Sequence, residues 1–320
     1  MSFNFVVDEE NIGNRVDAFV ANKCEKISRS LAQKLIKEGK ILVDDKETKV
    51  SSKLMLNQVV TIPEEIESEI PENLIAEDLP IEIIYEDEDI IVVNKPKDMV
   101  VHPAIGNSTG TLVNAVLGKH ELSDVNGDFR PGIIHRLDKN TTGALVIAKN
   151  NYAHQNIADQ IKNRTTKKIY IALVRGLIKE NNGVINMPIG RHPTDRKKMA
   201  VVKNGKEALT NFKVLKRYVY DEKNTNNTVN GYTLVEIELK TGRTHQIRVH
   251  MSQIGYPVVG DDVYSSGKNP FGVTSQMLHA HVLGFTHPTK NEWVEYKAPI
   301  PNYFEKIIKN LKELKVEEKD

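Results

Sequence analysis

One cysteine, Cys24, stands among 320 residues. A lone thiol builds no disulfide framework, which sets aside the small cross-linked secreted folds. No apolar run approaches the roughly eighteen residues of a membrane helix. The start, Met1-Ser2-Phe3-Asn4-Phe5, lacks the basic and apolar stretches of a secretory leader. A cytoplasmic chain without a membrane span is therefore expected. A phosphate-binding P-loop is missing too, and Gly242 and Gly255 form no G-x-G-x-x-G after a strand, so no cofactor is expected. His245 and His250 stand five apart without the glutamate of H-E-x-x-H, so no metal is expected. No heptad or exposed apolar helix announces an obligate dimer, and the expectation is a monomer.

Charge is present but divided. Residues 63–90 carry twelve Asp or Glu and no Lys or Arg; subtracting that −12 from the net +1 leaves +13 on the remainder. Such a distribution suits a surface that meets phosphates. Cations gather over 162–175 and again over Arg191-His192-Pro193-Thr194-Asp195-Arg196-Lys197-Lys198, continuing to Lys203 and Lys206. Either run alone also fits a solvated face.

The acidic window divides the chain. Residues 63–80 mix Pro63, Pro71 and Pro80 with repeated Glu, hold no helical period and read as a linker. Before it, 1–62 reads as a small α/β domain. One helix begins near Gly13; a second, capped by Ser28 or Ser30, runs to Glu38 and stops at Gly39. Strands are expected at 41–43, 48–50 and 58–62. After it, 81–320 reads as a larger domain. Residues 81–85 and 90–94 form a hairpin, 232–240 and 278–285 add longer strands, and 151–163 and 302–314 are helices. This arrangement predicts an α+β fold with a mixed, largely antiparallel sheet. The charged end, 312–320, is expected to fray.

The most informative run is His135-Arg136-Leu137-Asp138-Lys139-Asn140-Thr141-Thr142-Gly143, between a short strand at 132–134 and the apolar 144–148. It sets one carboxylate among cations in a loop at strand ends, where active sites concentrate. Asp138 is the candidate catalytic carboxylate; a salt-bridged turn in which it caps loop amides is the bland alternative. His135 fits either a proton-transfer group or a hydrogen-bonded anchor of the loop.

At this length the run resembles the central motif of the pseudouridine synthases, the large family (RluA type) that modifies ribosomal RNA and carries HRLD-x-x-[ST]-[ST]-G-[LA]. Three more blocks fit in order. They are Asn94-Lys95-Pro96 with Val100-Val101-His102-Pro103, Lys168-Ile169-Tyr170-Ile171-Ala172-Leu173, and Thr241-Gly242-Arg243-Thr244-His245-Gln246-Ile247-Arg248 continuing to Gly260-Asp261. The resemblance spans the last three quarters of the chain and implies the family's bisected mixed sheet. One departure is Asp98, where the family has glycine after Lys-Pro-x. The turn there is open to a different conformation, because Gly takes positive φ more freely.

Residues 1–62 resemble the small RNA-binding module of the S-four type. That resemblance implies RNA contacts by Arg29, Lys34, Lys37 and Lys40. The module's usual Asn-Gly turn is here Asp44-Asp45-Lys46, and its late Gly-Asp is Asn57-Gln58. A basic helix that merely keeps the domain soluble is the alternative.

Pseudouridine formation breaks the glycosidic bond of uridine, turns the uracil and rejoins it through carbon. It needs a carboxylate near the sugar, a closed pocket and no energy-carrying cofactor. The resemblance implies a single essential aspartate at Asp138, whose attack on sugar, attack on base or removal of a proton stays open. It assigns the guanidinium beside the carboxylate to Arg248, with Arg243 the alternative. Tyr170 stacks on the extruded base, Ile247 lines the pocket, and Arg136 fills the gap left by the flipped nucleotide. For Tyr170, strand alternation alone reads as a core aromatic. The implied partner is large-subunit ribosomal RNA or a pre-ribosomal particle. The alternatives are a tRNA-directed enzyme of the same family and a non-catalytic RNA-binding assembly factor.

Overall fold

A computed structural model describes residues 2–24, 27, 29–63, 74–104, 107–127, 130–195, 198–220, 230–265 and 270–314. The chain divides into two compact units, Met1–Ser68 and Glu69–Asp320.

The first unit pairs β1 (Ser2–Val6), β2 (Leu42–Val43), β3 (Lys46–Glu47) and β4 (Val59–Pro63) in the order β1-β4-β2-β3, all antiparallel. Helices α1 (Val16–Lys23) and α2 (Arg29–Lys37) close it, with Phe19, Val20, Leu35 and Ile36 meeting Ile41, Val60 and Ile62 in one core. Gly39, at φ +69, ends α2 in the left-handed conformation that glycine adopts cheaply. Ser28 lies outside the described residues. β1 was not expected, and β3 lies at 46–47 instead of 48–50. Asp44 and Asp45 both take positive φ, 50° and 59°, as a two-residue hairpin loop requires. Aspartate tolerates that conformation, and Asp44 is held there by accepting from the Val59 amide and from Gln58.

In the second unit, β5 (Glu82–Glu86) and β6 (Ile90–Lys95) form the expected hairpin. Then follow α3 (Leu112–Leu117), β7 (Thr142–Ala148), α4 (Asn151–Lys162), β8 (Lys167–Arg175), β9 (Asn182–Asn186), β10 (Ile189–Arg191) and β11 (Met199–Val201). Next come β12 (Leu209–Tyr220), β13 (Asn230–Leu239), α5 (Gln246–Gln253), β14 (Leu278–Thr286), β15 (Trp293–Lys297), α6 (Asn302–Lys309) and β16 (Lys312–Glu313). The large sheet runs β16-β12-β13-β8-β14-β7-β6-β5, with β15 on β14 and β9 on β12; β10 and β11 form a separate hairpin. The β7–β14 pair is parallel and its neighbours antiparallel, so the sheet is mixed and largely antiparallel, as expected.

Alternation along β6 and β7 explains their double burial. Ile91, Val93, Leu145 and Ile147 face α3 on one side, and Ile90, Val92, Val146 and Ala148 face Ala153 and Ile157 of α4 on the other. The parallel junction is short: His279 lies opposite Thr142 and Ala280 opposite Gly143. Gly143 is required there, because at φ +116 a Cβ would sit 2.1 Å from the Ala280 carbonyl oxygen.

Three differences from the sequence reading concern segment ends. Of the expected linker, 64–73 lies outside the described residues, but 74–79 docks on α3. Asn114 donates to the Ile75 carbonyl at 2.7 Å, and the Glu77 amide donates to the Asn114 carbonyl at 2.9 Å. The last helix ends at Lys309 instead of 314, because Leu311 turns inward and β16 joins β12. Residues 312–314 are therefore paired, the Leu314 amide donating to the Arg217 carbonyl, while 315–320 lie outside the described residues. The 132–134 segment makes one isolated bridge, Ile133 to Ile147. Asp98 takes φ +64, so the glycine-type turn persists with aspartate in it.

Candidate active site

The loop before β7 is pinned on both sides of Asp138. On one side the Nε2 of His135 accepts the Val146 amide at 3.1 Å. Burial, and to a lesser degree the charge of Lys168, pull that imidazole down to about 3, so it stays neutral and able to accept. This geometry is that of the anchoring reading of His135. On the other side Lys95, fully buried, donates to the carbonyls of Pro96, Met99 and Lys139 at 2.7–2.9 Å. Burial pulls this ammonium down to about 7, opposed by the charges of Asp138 and Asp98. Three carbonyl acceptors nonetheless use three N–H bonds, which only the charged form supplies.

Helix α5 brings the partner. Its start is fixed by Gln246, which accepts from the Arg243 amide and the Thr241 hydroxyl and donates to the Leu209 carbonyl and Thr210. Two residues on, the Nη1 of Arg248 donates to Oδ2 of Asp138 at 3.1 Å. The rest of the guanidinium is bound by Asp261, with Nε on Oδ2 at 2.6 Å and Nη2 on Oδ1 at 2.9 Å. Hydrogen bonds to the two carboxylates outweigh burial and hold Arg248 firmly charged. Arg243 lines the same cleft as Asp138, but its Nε donates to the Glu207 carbonyl.

Arg136, Asp138, Tyr170, Ile247 and Arg248 all line one cleft of about 140 Å³. They come from three separated segments: the β7 loop, β8 and α5. Tyr170 packs against the hydrophobic clusters on both sides of this point. Burial first, and then the charge of Asp138, push its phenol well above the usual tyrosine range, so it stays protonated. It can offer a ring face and an O–H, not a phenolate. Arg136 is exposed at the rim and Ile247 is buried in the wall.

Three participants were not picked out in the sequence: Lys95, Asp261 and Tyr264. Asp261 also accepts the amides of Val263 and Tyr264, and the Tyr264 ring lies 5.1 Å from the Arg248 guanidinium carbon. The Gly260-Asp261 pair was part of the motif, but nothing in it marked Asp261 as a guanidinium clamp.

In the first unit the expected RNA contacts are mostly engaged within the unit itself. Arg29 donates to the buried Asp17, alongside Arg15 and Gln33. These hydrogen bonds overcome the burial of Asp17 and hold its carboxyl at about 2. Lys34 and Lys40 lie 3.7 and 3.0 Å from Glu38, and Lys37 is exposed on α2. Exposed pairs of this kind are weak and can exchange for phosphate.

His250 is satisfied by Thr210 and the Met187 carbonyl. Among the described residues, Asp87, Asp89 and His287 have the spacing of a metal site. Their oxygens already accept from Tyr85, His287, Lys290, Asn150 and Thr289.

Residues 89–253 match the family model described as RNA pseudouridylate synthase, and 15–60 match the S4 domain. Fold and match together define an RNA-modifying isomerase. The chain belongs to the RNA pseudouridine synthase family. It is 43% identical over 314 residues to the uncharacterized RNA pseudouridine synthase YlyB of Bacillus subtilis, covering 97% of this chain and 98% of the relative. It is 38% identical over 304 residues to ribosomal large subunit pseudouridine synthase D of Pseudomonas aeruginosa, covering 91% and 90%. The solved structure of human RNA pseudouridylate synthase domain containing 1 superposes with a TM-score of 0.59 at 30% identity, over 76% of this chain and 93% of that one. Among the described residues no helix is long and apolar enough to cross a membrane.

Proposed function

We propose that this chain converts specific uridines of large-subunit ribosomal RNA to pseudouridine in the cytoplasm, with Asp138 as the reacting carboxylate. The observation that carries this reading is the convergence of five side chains from three distant segments on one cleft, with Asp138 held by Arg248. The Arg248 hydrogen bond falls on Oδ2. Oδ1 is left as the oxygen that meets the nucleotide.

Each neighbour has a task that its geometry permits. The target uridine leaves the stack at a cost of about a few kcal/mol, and the exposed Arg136 fills the space behind it. Tyr170 stacks on the extruded base, an interaction worth about 1–3 kcal/mol. Ile247 closes the wall and keeps water from the separated sugar and base. Arg248 aims Asp138 through its Nη1 hydrogen bond to Oδ2. The first unit adds phosphate contacts through Arg29, Lys34, Lys37 and Lys40, and the chain works as a monomer. The ribosomal substrate is supported by a relative named for the large subunit and by the S4 domain.

The test is pseudouridine mapping over all ribosomal and transfer RNA from cells lacking the gene, complemented with wild type or Asp138→Asn. Large-subunit sites that vanish and return with wild type alone are expected. Sites in transfer RNA would move the substrate. Full rescue by Asp138→Asn would overturn the role of the carboxylate.

A further inference from the structure

His245 precedes α5 with φ +57, a left-handed conformation that only a few per cent of non-glycine residues adopt. Its side chain makes no capping hydrogen bond to the helix. Its conformation instead brings the ring into the cleft, where Nδ1 lies 2.8 Å from the Tyr264 hydroxyl and Nε2 lies 3.8 Å from Oδ2 of Asp138. The Tyr264 hydroxyl already accepts the Met199 amide at 2.9 Å, at the turn end of the β10–β11 hairpin. With that acceptance made, its own proton is free to go to Nδ1, which places the imidazole proton on Nε2.

We propose that His245 is a positioning residue for Asp138, its tautomer set by Tyr264 so that Nε2–H and Arg248 converge on Oδ2 and leave Oδ1 to react. At 3.8 Å the contact is open, and it closes to a hydrogen bond when the nucleotide fills the cleft, as catalytic contacts do in the bound state. The backbone of the hairpin thereby helps to orient the reacting carboxylate through Met199, Tyr264 and His245. This inference deepens the proposed reaction and rests on it.

Charged groups facing His245 are Asp138, Arg248, Asp261 and Arg136, with the Tyr264 hydroxyl against Nδ1. Burial, together with the two arginines, keeps the ring below the usual histidine range despite the two carboxylates. Protonation would bring a second full positive charge to Oδ2 and make Asp138 a poorer base and nucleophile.

The experiment joins kinetics on an unmodified large-subunit ribosomal RNA transcript to nitrogen NMR of the His245 ring in the full chain. H245G removes the ring and suits the left-handed backbone, so folding is preserved. H245G should lower kcat about a hundredfold, as a misplaced catalytic group does, with KM within about threefold. H245Q should recover part of that loss through its amide N–H. Wild type should lose kcat on the acid side as His245 protonates, and H245Q should lack that limb. NMR should show the Nε2–H tautomer, and Y264F, which keeps its ring over Arg248, should scramble it. Unchanged kcat in H245G, a loss confined to KM, or an Nδ1–H tautomer in wild type would each overturn the proposal. A wild-type chain that forms no pseudouridine in any RNA would instead defeat the proposed reaction, while the tautomer would still decide the geometry of His245.

Discussion

Asp261 grips the same guanidinium that holds Asp138. It takes Nε and Nη2 of Arg248 at 2.6 and 2.9 Å and leaves Nη1 for the carboxylate of the cleft. Asp261 is nearly solvent-free and accepts two backbone amides besides, so it is the fixed member and Arg248 is the arm it aims. Two acids thus share one cation with unequal claims on it: one is satisfied four times over, the other is held by one hydrogen bond.

Removing one partner of so buried a pair should be costly. Asp261→Ala leaves most of the Arg248 guanidinium unpaired and should destabilise the chain by about 3–5 kcal/mol in denaturant unfolding. Replacing both, as Arg248→Met with Asp261→Leu, should restore much of that stability without restoring pseudouridine formation. If the double variant stayed as unstable as Asp261→Ala, the ion pair would not be the cause.

Lys95 makes a separate prediction, because its three hydrogen bonds go to carbonyls and not to a carboxylate. Lys95→Met keeps the length of the side chain but strands three buried acceptors, each worth about 1–3 kcal/mol. One of these carbonyls, that of Lys139, directly follows Asp138. Unfolding should therefore become easier by several kcal/mol, of order the sum of three such losses. Amide exchange at Asn140 and Thr141 should accelerate more than exchange in α4. Equal acceleration everywhere would show global destabilisation with no special hold on the loop.

How much of this could be read beforehand depended on whether a residue's neighbours in sequence are its neighbours in space. The strand Thr142–Ala148 was legible because its apolar run is local and bounded by glycine. The strand Leu209–Tyr220 carries no such signal, since Lys213, Lys216 and Arg217 make it look like solvent-facing coil. In the fold, the Arg217 guanidinium is bound by the carbonyls of Ile178, Lys179 and Glu180. Asp138, Arg136, Tyr170, Ile247 and Arg248 were proposed from motif blocks and lie around one cleft. Lys95 stands in one of the same blocks without a role, because a lysine beside proline reads as surface until its own turn folds the Pro96 and Met99 carbonyls onto it and the Lys139 carbonyl, 44 residues on, joins them. Arg29 likewise has a partner that the helix start does not announce: Asp17, twelve residues earlier, accepts from its guanidinium.

Gly143 tests the short parallel junction between the two halves of the sheet. A Cβ there would lie 2.1 Å from a backbone oxygen of Ala280, with no flexible side chain to yield. Gly143→Ala should cost more than about 4 kcal/mol, beyond the range of ordinary substitutions. Thermal unfolding of the soluble fraction checks it, and a melting temperature within a few degrees of wild type would show that the two strands can part without penalty.

Acidification should destabilise the chain through its buried neutral histidines before its carboxylates titrate. Burial, the largest cause in each case, holds His135 at about 3, and His102 and His279 at about 4, all below the ordinary value of 6.5. In the unfolded chain each binds a proton as pH falls through about 6.5, whereas in the folded chain it does not until the lower value is reached. The unfolded state thus gains protons first. Stability is fully present above the unfolded value and is lost as pH falls toward the folded one. Each histidine contributes a slope of up to about 1.4 kcal/mol per pH unit in that window. Urea unfolding between pH 7.5 and 5 measures the sum. His135→Gln keeps a side-chain acceptor for the Val146 amide but cannot titrate, so it should remove one proton's share of the slope. An unchanged slope in that variant would mean that His135 gains its proton equally in both states, and the hydrogen bond from Val146 would not be holding it neutral.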